Sequence, residues 1–122
     1  DLQDADLAAI RAAGLRLGLS THDEMELDTA LAARPDYIAL GPIWPTILKK
    51  MKWAPQGLAR LRDWKARVAP LPLVAIGGLN VDRLEDVFSH GADCAAVVTD
   101  ITLNPNPEQR TREWITRTQT WR

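Results

Sequence analysis

The stretch Leu73-Val74-Ala75-Ile76-Gly77-Gly78 is a short apolar run that ends in two glycines. An earlier run, Tyr37-Ile38-Ala39-Leu40-Gly41, has the same form, and its loop continues through Pro42-Ile43-Trp44-Pro45-Thr46-Ile47-Leu48-Lys49-Lys50. Such runs predict buried strands, and we expect 73–76 to be covered on both faces. Backbone amides approach an anion closely where there is no Cβ, and hydroxyl and lysine groups add donors and charge. The two strand ends therefore indicate an enzyme that handles phosphate.

Helical and strand patterns alternate along the whole chain. Thr21 and Glu24 are predicted to form a capping box at the start of one helix, and Asn106 is predicted to open the last helix with Pro107 in its first turn. The predicted helices cover 6–13, 21–33, 56–69, 80–90 and 106 onward, and the predicted strands cover 15–19, 37–40, 73–76 and 94–98. This order predicts a parallel sheet covered by helices.

The short strands favour a closed eight-stranded barrel, but such a barrel needs about 250 residues and this chain has 122. An isolated half would leave two sheet edges unpaired and one face bare. We therefore interpret residues 1–122 as the C-terminal half of a TIM (β/α)8 barrel whose N-terminal strands are absent. The alternative is a small four-stranded α/β domain.

Composition excludes several classes of function. A formal charge of -1 with interspersed acids and bases predicts no nucleic-acid partner and no membrane-surface patch. No apolar run approaches the ~20 residues that span a bilayer. Cys94 is the single cysteine, which favours a cytoplasmic protein without a disulfide. Its apolar neighbours predict a packed core thiol.

Five motifs in register carry a family resemblance across nearly all of the chain. They are Leu17-Gly18-Leu19-Ser20-Thr21-His22, Asp36 to Thr46 with Lys49, Ala54-Pro55-Gln56-Gly57-Leu58, Val74-Ala75-Ile76-Gly77-Gly78, and Gly91-Ala92-Asp93 leading to Ala96-Val97-Val98-Thr99. With these motifs the chain resembles the thiamine phosphate synthase family. The resemblance implies a (β/α)8 barrel that uses Mg2+ and joins a pyrimidine pyrophosphate to a thiazole phosphate, releasing pyrophosphate and forming thiamine phosphate.

The resemblance also implies roles for individual residues. Ser20 and Lys49 would act as catalytic residues and bind the pyrimidine pyrophosphate, with Lys49 neutralising charge on the leaving pyrophosphate. The residues implied to hold the thiazole phosphate are Thr46, Ile47, Leu48, Gly78, Val98 and Thr99. The family's usual hydroxyl at position 48 is replaced by leucine, so only the backbone amide remains there. The Mg2+ ligands are expected in the missing N-terminal half.

Other functions stay open at this point. A thiazole tautomerase resembles the synthase, but that branch relies on a histidine after the glycine equivalent to Gly41, where this chain has Pro42. A truncated half-barrel that binds phosphate without catalysis is the other alternative, and Gly77-Gly78 could form only a tight turn. The expected partners are small phosphorylated substrates together with the missing half of the barrel or a second copy of the chain.

Overall fold

A computed structural model describes residues 2–47 and 54–121. Its four strands form one sheet in chain order, and every neighbouring pair is parallel. The strands are Gly18–Thr21 (β1), Tyr37–Leu40 (β2), Leu73–Ile76 (β3) and Cys94–Ala96 (β4). The helices are Leu7–Ala12 (α1), Glu24–Ala32 (α2), Gly57–Val68 (α3), Leu84–Ser89 (α4), Thr99–Thr102 (α5) and Pro107–Thr118 (α6), with 3-10 turns at Leu2–Asp4, Val81–Arg83 and Gln119–Trp121. The predicted α/β class, built from parallel (β/α) units, is confirmed.

The core lies between one face of the sheet and the helices. The register aligns Thr21 with Leu40 and Leu40 with Ala75, and all three are fully buried. Helix α3 contributes Leu61, Trp64 and Val68 to this layer, and the other large buried side chains include Leu27, Ile38, Leu73 and Val87. Burying each such apolar side chain contributes about 1.5–3 kcal/mol.

Two aspartates fix where strands begin. The Leu17 amide donates to Asp36 Oδ2 at 2.6 Å, and the Leu73 amide donates to Asp93 Oδ2 at 2.8 Å. Each aspartate directly precedes the next strand in the sheet, so each hydrogen bond joins two neighbouring strands at their amino-terminal ends. The Lys65 ammonium also bonds Asp93, at 2.7 Å. By fixing where the strands start, these contacts also align their carboxyl-terminal ends.

The second face of the sheet is not covered by any element within residues 2–47 and 54–121. Ser20 is exposed on this face, Tyr37 is 40% exposed and Ile76 is 38% exposed. The expectation that 73–76 is buried on both faces is therefore wrong for this chain. The reason is that helices pack on one side only, against Leu73 and Ala75.

The first strand and its following helix start later than predicted. Leu15 belongs to the end of α1, because its amide bonds the Ile10 carbonyl while Gly14 adopts a φ of 75°, which is a Schellman ending. Strand β1 then runs through Thr21, so the capping role assigned to Thr21 is wrong. Asp23 caps α2 instead, accepting from the Glu26 amide at 2.8 Å.

Strand β4 is also shorter than predicted, and the expectation for Cys94 is wrong. The strand ends at Ala96, and Cys94 is exposed rather than packed in the core. The physical reason is that the register pairs Cys94 with Val74, on the sheet face opposite the one where Leu73 and Ala75 contact the helices. The predicted opening of the last helix is confirmed, since Asn106 accepts from the Gln109 amide at 3.1 Å and Pro107 is the first helical residue.

Candidate functional site

A small cavity opens where β3 and β4 end. Its lining consists of Thr46, Ile76, Gly77, Gly78, Leu79, Ala96, Val97, Val98 and Thr99, and its volume is about 60 Å³. Four residues that the sequence predicted as a phosphate site, Thr46, Gly78, Val98 and Thr99, thus lie around one hollow. Sites for whole drug-sized ligands have volumes of about 300–1,000 Å³, so this cavity suits a single small polar group of a larger ligand.

Larger cavities lie elsewhere on the molecule. One of about 300 Å³ lies between Val81, Arg117 and Trp121. We nevertheless assign the candidate site to the smaller cavity, because ligands of parallel α/β folds bind at the carboxyl ends of the strands. The larger cavity lies behind the sheet among side chains of helices, where no strand end supplies backbone donors.

Both glycines after β3 are required by the close approach of the loop after β2. The Ile43 amide bonds the Ile76 carbonyl, and the Trp44 amide bonds the Gly77 carbonyl, each at 3.1 Å. Gly77 and Gly78 have φ values of 98° and 71°. A Cβ on Gly77 would lie 2.6 Å from Pro42 Cα, and one on Gly78 would lie 2.6 Å from the Pro45 carbonyl oxygen. The two glycines therefore do more than turn the chain, since they let two strand-end loops pack backbone to backbone.

Two amides beside the cavity have no acceptor among the described residues. Neither the Gly78 nor the Val98 N–H donates to another backbone or side-chain group of residues 2–47 and 54–121. The Val98 carbonyl is held by the amides of Ile101 and Thr102, at 3.1 and 2.9 Å, which fixes this peptide at the start of α5. Backbone N–H groups that meet at a concave surface suit an anion.

Arg83 is a residue near this site that the sequence analysis missed. Its guanidinium donates to the Gly78 carbonyl and lies 4.7 Å from the centroid of the Trp44 ring. In the sequence Arg83 stands among charged residues of a solvated helix face, so no sequence signal separates it from them. Only the turn at Val81–Arg83 brings it back to the loop.

Gln56 is a second such residue, and it joins the ends of β1 and β2. Its side-chain amide donates to the His22 carbonyl at 2.7 Å and to the Gly41 carbonyl at 3.2 Å. In the sequence, Gln56 stands out only as part of the motif Ala54-Pro55-Gln56-Gly57-Leu58. The contacts show that it fixes the spacing of two loops on the edge that carries the site.

Among the described residues, Ser20 and Ile47 were also predicted as site residues, and neither lines the cavity. Ser20 is exposed near the end of β1 and pairs with Ala39, so it lies at the carboxyl edge of the sheet but two strands away from β3. Ile47 is 79% exposed. Leu48 and Lys49 lie outside the described residues. The roles of all eight residues stay predictions.

Residues 2–47 and 54–121 contain no group of three or more His, Cys, Asp or Glu side chains placed to hold a metal ion, so they do not fit a Mg2+ site by themselves. No helix in these same ranges has the length and apolar character needed to cross a bilayer.

Comparison with known proteins gives the family. A model described as thiamine monophosphate synthase matches residues 1–101. The chain belongs to this thiamine monophosphate synthase family. The resemblance carried by the five motifs is thereby confirmed, and the strand-end cavity can be interpreted as a feature of a family member.

Relatives of this family member match it over nearly its whole length. The thiamine-phosphate synthase of Rhizobium etli is 69% identical over 122 residues, which are 100% of this chain and 60% of that protein. The thiamine-phosphate synthase of Salmonella typhimurium is 52% identical over 94% of this chain and 54% of its own length. The solved thiamine phosphate pyrophosphorylase from Pyrococcus furiosus superposes with a TM-score of 0.78 at 27% identity, covering 93% of this chain and 54% of that one. The chain thus spans little more than half the length of these relatives.

Proposed function

We propose that the full-length protein is a thiamine phosphate synthase, a transferase that condenses 4-amino-2-methyl-5-hydroxymethylpyrimidine pyrophosphate with 4-methyl-5-(2-phosphooxyethyl)thiazole. The products are thiamine phosphate and pyrophosphate. The observation that carries the proposal is the convergence of Thr46, Gly78, Val98 and Thr99 on one cavity in a chain of this family.

In this proposal the cavity holds the phosphate of the thiazole substrate. The amides of Gly78 and Val98 donate to its oxygens, and the hydroxyls of Thr46 and Thr99 add two further donors. A phosphate fixed in this way limits where the thiazole ring can lie. The ring nitrogen is then held against the pyrimidine, and such positioning supplies a large share of the rate enhancement of two-substrate reactions.

Lys49 and Ser20 act on the other substrate in this proposal. Lys49 follows Thr46 by three residues in the sequence, and its ammonium offsets the negative charge that develops on the departing pyrophosphate. Ser20 lies near the carboxyl end of β1, at the same edge of the sheet as the cavity. Its hydroxyl donates to the pyrophosphate or to the reacting pyrimidine. The bond between the pyrimidine methylene and the pyrophosphate oxygen breaks, and the thiazole nitrogen forms the new bond.

The chain is further proposed to be the C-terminal half of a (β/α)8 barrel in the cytoplasm. Three observations support this: no described element covers one face of the sheet, β1 and β4 are outer strands, and the chain covers 60% of a relative that is 69% identical. The upstream half would cover that face and supply the Mg2+ ligands. Mg2+ when bound would screen charge on the pyrophosphate.

An assay of the full-length protein tests the proposed function. Purified protein is incubated with both substrates and Mg2+, and the product is identified by mass spectrometry. Formation of thiamine phosphate with equimolar pyrophosphate is the expected result. Isomerisation of a thiazole phosphate without condensation would instead identify a tautomerase, and binding without any turnover would identify a non-catalytic protein.

A further inference from the structure

Arg83 connects two of the three loops that line the cavity, although it does not line the cavity itself. Its guanidinium donates to the Gly78 carbonyl and stacks 4.7 Å from the centroid of Trp44. Gly78 belongs to the loop after β3, and Trp44 belongs to the loop after β2. One side chain therefore bonds one loop and packs on the other.

The turn that follows Gly78 delivers Arg83 to this place. The Arg83 amide bonds the Asn80 carbonyl at 3.1 Å, and the Asn80 side chain accepts from the Asp82 amide at 3.0 Å. This tight turn brings residue 83 back over residue 78. Arg83 is half-buried there. Its guanidinium is restrained both by the hydrogen bond to the Gly78 carbonyl and by stacking on Trp44.

Gly78 needs such a restraint more than most residues do. Its φ of 71° is open to glycine alone at low cost, and glycine has many alternative backbone conformations. A hydrogen bond to its carbonyl fixes the plane of the following peptide, and the Trp44 ring blocks movement of the loop toward β2. The Gly78 N–H itself belongs to the preceding peptide, whose Gly77 carbonyl accepts from the Trp44 amide at 3.1 Å. By holding Trp44 and Gly78 together, Arg83 keeps this peptide, and with it the Gly78 N–H, in a constant direction.

We propose that Arg83 is a positioning residue for the anion in the cavity, acting through the Gly78 backbone and Trp44 rather than by touching the anion. This inference rests on the proposed phosphate role of the cavity. The proposal requires the planar guanidinium of arginine, because a lysine ammonium supplies the same charge without the planar face that stacks on an indole.

Three variants of the full-length protein test the proposal. Arg83→Met removes the bond and the charge but keeps a long apolar side chain, and Arg83→Lys restores the charge alone. Arg117→Met is the matched control, because Arg117 bonds Asp82 at 3.1 Å on the neighbouring turn and makes no contact with Gly78. Binding of inorganic phosphate is followed by the amide NMR shifts of Gly78 and Val98, and backbone order parameters are measured without phosphate.

We expect Arg83→Met to weaken phosphate binding about tenfold, the size of one lost charge-assisted contact, and to lower the order parameters of residues 77–79. Arg83→Lys should recover little of either quantity, and Arg117→Met should leave both unchanged. Full binding in Arg83→Lys would overturn the proposal in favour of a simple charge effect. Unchanged order parameters in Arg83→Met would overturn it regardless of phosphate.

The same measurements separate this proposal from the proposed function. If phosphate shifts neither the Gly78 nor the Val98 amide in the unmodified protein, the phosphate role of the cavity fails. The order parameters of Arg83→Met then still decide whether Arg83 holds the loop.

Discussion

The indole N–H of Trp64 donates a hydrogen bond of 2.9 Å to the hydroxyl of Thr21. That hydroxyl in turn donates to the Ala39 carbonyl at 2.8 Å, so one buried oxygen joins α3, β1 and β2. Thr21 is fully buried and follows Ser20 directly. The contact therefore fixes the end of the strand that carries a predicted catalytic residue.

Replacing Thr21 by valine should lower the free energy of unfolding by about 1–3 kcal/mol, because the buried Trp64 N–H loses its acceptor. Urea denaturation monitored by tryptophan fluorescence measures the change. Thr29→Val is the matched control, since the Thr29 hydroxyl bonds the Met25 carbonyl on an exposed helix surface and should matter by about 0.5 kcal/mol or less. Equal effects of the two substitutions would contradict the structural role of Thr21.

Gly78→Ala should destabilise the protein more than Gly57→Ala. Both glycines have positive φ, at 71° and 76°, so both substitutions carry a backbone cost of about 1–2 kcal/mol. A Cβ on Gly57 meets nothing within 4 Å, whereas a Cβ on Gly78 lies 2.8 Å from the Trp44 carbonyl oxygen. The extra crowding should add about 1–3 kcal/mol, measurable by thermal denaturation of the two variants. Indistinguishable melting temperatures would show that the loops do not pack as closely as described.

Gln56→Glu should destabilise the protein by about 1–3 kcal/mol at neutral pH. The substitution removes both side-chain N–H bonds, to the His22 and Gly41 carbonyls, and sets a carboxylate against two carbonyl oxygens. Gln3→Glu, on an exposed turn, controls for the change in net charge. The denaturation midpoints of the two variants give the comparison. Equal midpoints for Gln56→Glu and Gln3→Glu would show that Gln56 does not hold the strand ends in place.

Cys94 gives a direct test of the proposed barrel half. Cys94 is exposed, and the register places it on the open face of the sheet, which closure of the barrel would cover. In full-length protein with any other cysteines changed to serine, we expect thiol labelling to be at least about tenfold slower in the native state than in urea, since a buried thiol reacts slowly. Labelling at the unfolded rate would contradict the proposed closure.

The order of the parallel strands and of the longer helices was predictable from sequence, because short apolar runs and helical stripes alternate without a hairpin signal. The one-turn helix α5 was not predicted. Errors arose where one residue had two local roles. Leu15 fits a strand pattern, yet its amide completes the end of α1 at Gly14. Thr21 is a good capping residue, yet burial beside Trp64 gives its hydroxyl a different partner.

The candidate site was predictable only in part. Thr46, Gly78, Val98 and Thr99 came from motifs and lie around one cavity, since the carboxyl ends of parallel strands share an edge. Arg83 and Gln56 were not predictable, because their roles depend on which backbone carbonyls the fold brings within reach. Cys94 was judged by its apolar neighbours in sequence, but its exposure depends on which sheet face it occupies and on what covers that face.

The central claim is that the strand-end cavity binds the thiazole phosphate, and the KM for that substrate tests it most directly. In the full-length protein, Thr46→Val and Thr99→Val should each raise this KM about tenfold, the value of one hydrogen bond to a charged group. The KM for the pyrimidine pyrophosphate should not change, and Thr102→Val, on the exposed side of α5, should alter neither constant. An unchanged KM for the thiazole phosphate in both cavity variants would contradict the account.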